Sequence, residues 1–244
     1  GSGVAGSTIA NLISKKYKVI VLDKARGPGG RTSNKRYRAN LSFDHGMQYI
    51  SPKSKNFKIF IQDLYNKKVL KIWNGNHVDF TFKKDNEIKF IGKKSNNDIC
   101  KYQLKKIKQH YNSNVIKIDR YKNYWEITLK DKKKYQSRSL VLTCPYPQLK
   151  KLAKKYLNKK LLNLNVKMQP NITAMLVVKN HKEIPLSSIK TDTDVISWVG
   201  NENSKKRFRS PLGLWTLQSS VKWANKNINK YKKKTRSTNS FLTS

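Results

Sequence analysis

Residues Gly1-Ser2-Gly3-Val4-Ala5-Gly6 read G-x-G-x-x-G, and with the helix and strand patterns directly after them they narrow the fold more than any other stretch of the chain. An apolar helical pattern comes next, carried by Val4, Ala5, Ile9, Ala10, Leu12 and Ile13. A short strand pattern, Val19-Ile20-Val21-Leu22, then ends in Asp23. Each piece has a physical task when a pyrophosphate must be held. The first glycine allows a tight turn, the second lets the backbone approach the phosphates, and the third lets helix and strand pack closely. The helix start offers free N–H groups and a positive dipole end. An acid about 20 positions on accepts hydrogen bonds from ribose hydroxyls.

In a Rossmann unit a strand precedes the first glycine and sits in the middle of the sheet. The sequence opens on Gly1 without it, so the expectation is a chain that lacks that strand. Such a chain would hold a dinucleotide weakly or not at all. A second glycine-rich loop comes at once, Asp23-Lys24-Ala25-Arg26-Gly27-Pro28-Gly29-Gly30-Arg31-Thr32. Gly29 and Gly30 permit positive φ and close approach to a ligand. Arg31 can make paired hydrogen bonds to a phosphate. Two such loops in succession suit a dinucleotide held along its length. Phe43-Asp44-His45-Gly46-Met47-Gln48-Tyr49 comes next.

The series G-x-G-x-x-G, DK-x-RGPGGR and FDHG-x-QY resembles the renalase-like FAD-dependent oxidoreductases, relatives of the flavin amine oxidases. Downstream, Val115-Ile116-Lys117-Ile118 resembles the strand whose backbone meets the adenine in that family. Leu140 to Gln148 resembles its apolar strand ending in A-x-P-x-x-Q, and the stretches Ile196 to Val199 and Leu214 to Trp223 resemble its late strands. Lys93 to Asp98 departs from the family's glycine-rich turn, and the family's C-terminal G-D-rich segment does not appear. The resemblance implies FAD as cofactor. Its contacts would be Gly1, Gly3, Ala5, Gly6, Asp23, Lys24, Gly30, Arg31 and Val115, with Met47 and Gln48 near the isoalloxazine. It further implies hydride transfer from an amine or a reduced nicotinamide nucleotide to the flavin, and reoxidation by dioxygen. No catalytic side chain is assigned. Asp44 and His45 invite an acid–base reading, against which stands a role in shaping the turn.

Composition supplies bounds. Lys and Arg number 53 against 14 Asp and Glu, a net charge of +39. A charge so positive suits a nucleic acid or an anionic surface. The lysines, however, run along the whole chain with Asn and Ser between them and outnumber Arg, as a compositional bias would place them. A basic nucleic-acid-binding protein on a degenerate Rossmann fold is the rival reading, and Lys222 to Arg236 its best segment. No run of about 18 apolar residues exists to span a membrane. The two cysteines, Cys100 and Cys144, stand far apart in apolar segments, and both are expected to be reduced and buried, as in a cytoplasmic protein. His45, His77, His110 and His181 are scattered without metal-ligand spacing, so no metal is expected. Nothing in the chain indicates its oligomeric state.

The fold class expected is α/β: a Rossmann-type FAD/NAD(P)-binding domain with an interleaved, mainly antiparallel β substrate domain. Helical spacing marks 4–16, 56–65, 99–107 and 149–156. Strand patterns mark 18–23, 41–50, 69–73, 77–82, 87–91, 115–118, 124–129, 135–143, 172–178, 195–199 and 213–219. Residues 1–68 and 99–157 are assigned to the nucleotide domain, 69–98 and 158–221 to the substrate domain, and 222–244 to a basic helix or tail. Trp73 and Trp198 are candidates for the wall of a flat substrate pocket or for the core.

Overall fold

A computed structural model describes residues 1–38, 40–179 and 182–237. Six α-helices and fourteen strands are found among them. In chain order the first elements are α1 (Val4–Ile13), β1 (Ile20–Leu22), β2 (Lys35–Arg38), β3 (Leu41–Phe43), α2 (Lys55–Asn66), β4 (Leu70–Ile72), β5 (His77–Val78) and β6 (Phe90–Gly92). Next come α3 (Asp98–Gln103), β7 (Lys108–His110), β8 (Val115–Arg120), β9 (Trp125–Leu129), β10 (Lys134–Ser137), α4 (Tyr146–Ala153) and α5 (Lys159–Leu162). The last are β11 (Thr173–Val178), β12 (Ser188–Lys190), β13 (Ile196–Asn201), β14 (Gly213–Ser219) and α6 (Val221–Ser237). The chain is a mixed α/β protein whose first elements, glycine loop, helix and strand, run in the order of a Rossmann unit.

Two compact units share the chain. The first comprises Gly1–Ser33, Ser54–Lys71 and Gly92–Lys167. Here β1 pairs in parallel with β7, and α1 packs its Ala10 onto Val21, Leu104 and Ile107. An antiparallel meander, β8-β9-β10, buries Ile118 and Ile127 against Ala153 of α4. The second unit comprises Asn34–Lys53, Ile72–Ile91 and Met168–Ser244. Its main sheet has the order β11-β14-β13-β12-β5, antiparallel except for the β12–β5 pair. Residues 34–53, assigned to the nucleotide domain from sequence, group by contacts with this second unit.

Several elements differ from their sequence expectation, each for a local reason. The strand expected over 77–82 stops at Val78, because Asp79 folds the chain back. Its Oδ1 accepts the N–H groups of Thr81 and Lys83 and the Thr81 hydroxyl, and Phe82 takes φ 61. The strand expected over 135–143 ends at Ser137. Leu140 and Leu142 still pack into the Ile118 cluster, so their apolar alternation is used without a strand ladder. Helix α3 ends at Gln103, and Ile107 reaches the core from the turn beyond it. Strand β7, Lys-Gln-His, is polar and carries no strand signal. Cys100 is buried as expected but Cys144 is only half-buried, and both are free thiols.

Candidate functional site

In the first unit the two glycine loops lie against each other. Gly29 donates its N–H to the carbonyl of Ser2 at 3.0 Å, and Gly3 and Gly29 form a parallel bridge. Gly29 has φ 136 and Gly30 φ 54, both in the region that favours glycine. A Cβ on Gly29 would also lie 2.8 Å from Cβ of Asn97. The Asn97 side chain donates to the Pro28 carbonyl at 3.0 Å, so the turn that departs from the family pattern props the second loop.

Helix α1 begins at Val4 behind an extended Gly3, with no side-chain cap and no acid in its first turn. The first-turn N–H groups of Val4, Ala5 and Gly6 therefore have no intrahelical acceptor, and no acidic residue stands within that turn. Asp23, at the end of β1, accepts the Ser2 N–H at 2.6 Å and the Ser2 hydroxyl at 2.7 Å on Oδ2, and the Ala25 N–H at 2.8 Å on Oδ1. Burial works to raise its pKa, but the hydrogen bonds from Ala25 and Ser2 outweigh it and hold the carboxyl below its ordinary value. The segment before Val115 is tied to the same place: Ser113 donates its N–H to the Asp23 carbonyl at 2.8 Å, and Asn112 to that of Ala25 at 2.9 Å.

Gly1, Gly3, Ala5, Gly6, Asp23, Lys24, Gly30, Arg31 and Val115 thus belong to one unit, while Met47 and Gln48 belong to the other. Lys24, Gly30 and Arg31 are exposed. The residues present fit a dinucleotide. Two glycine-rich loops adjoin a free helix start, and an ionised acid closes the row. Sequence reasoning passed over Ser2 and Asn97, whose roles depend on which backbone groups the fold brings to them.

In the second unit the acid of the FDHG segment is used differently from an acid–base pair. Asp44 is fully buried; Oδ2 accepts the Lys205 ammonium at 2.9 Å and the Arg207 guanidinium, and Oδ1 accepts the Asn34 amide at 3.2 Å. His45 has its Nδ1 buried with no hydrogen-bond partner, so this nitrogen is not oriented by a carboxylate. Lys205 also meets Glu202 at 2.9 Å and Gln48 Oε1 at 3.3 Å. Glu202 in turn accepts the Thr216 hydroxyl at 2.7 Å. Burial pushes the Glu202 carboxyl above its usual range, with Lys205 opposing and Asp44 adding to the rise.

This buried cluster of Asp44, Glu202, Lys205 and Arg207 had no signature in the sequence, where Lys205 is one of 53 basic residues. Trp73 and Trp198 pack with Ile91 at 2% and 7% exposure, so both serve the core. Among the described residues no group of His, Cys, Asp and Glu can hold a metal ion; His181 lies outside them.

Burial lowers the pKa of His45 and of His77, whose Nδ1 meets the Ser188 hydroxyl at 2.8 Å and Nε2 the Trp73 carbonyl at 3.0 Å. Both rings favour the neutral form in the folded protein. Their contribution to stability is present above the unfolded value of about 6.5 and is lost as pH falls through the lower folded value. An imidazole NMR titration is expected to place both midpoints below about 6.5. Midpoints at or above it would contradict the burial of these rings.

A family model of an NAD(P)-binding Rossmann-like domain matches residues 1–64, the stretch that holds both glycine loops and Asp23. The fold extends this likeness over almost the whole chain. A protein of Pyrococcus furiosus aligns over 96% of this chain and 82% of its own, at 13% identity and a TM-score of 0.65. A triple mutant of putrescine oxidase aligns over 94% and 76%, at 11% identity and a TM-score of 0.71. A protein from Exiguobacterium sp. assigned as a protoporphyrinogen oxidase aligns over 90% and 75%, at 8% identity and a TM-score of 0.66. At such identities the likeness is one of fold.

Proposed function

We propose that this protein is an FAD-dependent oxidoreductase of the renalase-like and amine oxidase-like kind. The observation that carries the reading is the pair of glycine loops held together by the Gly29–Ser2 bond, with ionised Asp23 beside them. The free N–H groups at the start of α1 would take the pyrophosphate. Asp23 would meet the ribose, Val115 the adenine, and Arg31 a phosphate. The fold shared with putrescine oxidase and with the Exiguobacterium protein supports an oxidase over a nicotinamide dehydrogenase.

When bound, the flavin would supply the redox chemistry, taking a hydride from an amine or a reduced nicotinamide nucleotide and passing the electrons to dioxygen. The chain's residues bind and orient it. Asp44 is committed to Lys205 and Arg207, so proton transfer is not given to an Asp44–His45 pair.

Full-length protein, reconstituted with excess FAD, desalted and then heat-denatured, is expected to release FAD in stoichiometric amount. A colourless protein that takes up no FAD refutes the reading. If it instead binds single-stranded RNA with an affinity that falls steeply with salt, the basic nucleic-acid-binding alternative holds. Within the flavin reading, Arg31→Ala removes a charge-assisted phosphate contact. It is expected to weaken FAD binding about tenfold to a hundredfold. Titration of flavin fluorescence checks this, and an unchanged affinity removes Arg31 from the site.

A further inference from the structure

We propose that Lys205 is the positioning residue of the loop 44–48, the segment that the flavin reading sets against the isoalloxazine. The inference rests on that reading and adds to it a residue outside the three opening motifs. The ammonium group bonds the first and last residues of the loop together, through Asp44 Oδ2 at 2.9 Å and Gln48 Oε1 at 3.3 Å. It is itself held from two further sides, by Glu202, which accepts from it, and by the Trp73 ring, 5.1 Å away; Trp73 Nε1 donates to Ser204, next to Lys205 in the chain, at 3.0 Å. Lys205 and Asp44 have no side-chain exposure and Glu202 has 1%.

Four buried charges, two of each sign, make a costly way to fill a core. Apolar side chains of similar volume would fill it as well or better. What the charges add is a single geometry, and the loop shows it. Its carbonyls at 44, 45 and 46 each accept a side-chain donor: Gln48 reaches Asp44, Thr173 reaches His45 at 3.0 Å, and Gln218 reaches Gly46 at 2.7 Å. A loop that must meet a flat, rigid ring needs support of this kind, because slack of about 1 Å in a contact residue already weakens a site. Lys205 is where the two ends of this support meet.

The test uses the paired change Glu202→Gln/Lys205→Met, which removes one charge of each sign and leaves Asp44 with Arg207. Val78→Ala, in the core of the same unit, is the control for general destabilisation. Two readouts are taken: amide hydrogen exchange of residues 44–50 without added flavin, and the FAD dissociation constant. The paired variant is expected to exchange the loop about tenfold faster than both wild type and control. Its FAD affinity is expected to fall about tenfold, or about 1.4 kcal/mol.

Unchanged exchange overturns the proposal. Faster exchange with unchanged FAD affinity also overturns it, because the loop then has no part in holding flavin. A wild type that binds no FAD refutes the flavin reading, while the exchange arm still decides whether Lys205 holds the loop. Should the paired variant fail to fold, Asp44→Asn keeps the shape and weakens the ammonium contact. The same two effects, smaller, are then required.

Discussion

Lys205→Met alone is expected to cost about 3–5 kcal/mol of stability, the usual cost of removing one partner from a buried ion pair. The reason is the group left behind more than the bond lost. Asp44 keeps Arg207, but Glu202 loses its cation while buried at 1% exposure. Its carboxyl already stands above the ordinary range through burial, and without Lys205 it must rise further or remain as an unpaired charge.

The pH dependence of this loss has a defined sign. A carboxyl whose folded pKa is raised binds more protons folded than unfolded, so stability falls as pH rises from the unfolded value toward the folded one. The deficit of Lys205→Met is therefore expected to be largest at neutral pH and to shrink as pH falls through the raised folded value, its carboxylate share being gone below about pH 4.3, the unfolded glutamate value. Urea unfolding at several pH values measures it. A loss under about 1 kcal/mol at pH 7 would mean that water or a neighbouring cation reaches Glu202.

Gly6→Ala is the second large effect. A Cβ at this position would lie 1.9 Å from the Gly1 carbonyl oxygen and 2.7 Å from the Thr143 hydroxyl. The first of these is backbone, which cannot swing away, so helix and loop must separate. Alanine gains up to about 1 kcal/mol of helix propensity over glycine, but overpacking against a fixed backbone costs about 1–3 kcal/mol and exceeds it. Moving the loop also moves the N–H groups offered to the phosphates. FAD affinity is expected to fall about a hundredfold, or about 2.7 kcal/mol. Gly27→Ala is the matched control, since a Cβ at Gly27 meets nothing within 4 Å. Equal FAD affinity in the two variants would show that the close packing at Gly6 has no bearing on the ligand.

The amino-acid order was sufficient for what short-range physics controls. Helix α2 was legible because Phe57, Phe60, Ile61 and Leu64 recur at helical spacing, and it spans Lys55–Asn66. Strands β8, β11, β13 and β14 were legible as apolar or alternating runs. The two glycine loops were legible because glycine readily takes the φ that Gly29 and Gly30 adopt. Strand β7 was not, since three polar residues become a strand only beside β1, with Ile20 opposite Lys108.

The buried charge cluster lay wholly beyond local reading. Asp44 and Lys205 stand 161 positions apart, and in a chain with 53 basic residues no local rule singles out the lysine that meets Asp44. Periodicity and backbone sterics act over a few residues, so they can be read from the sequence in order. The choice of which charge pairs with which is made by burial, and burial exists only once the strands around Glu202 and the turn around Asp44 have come together.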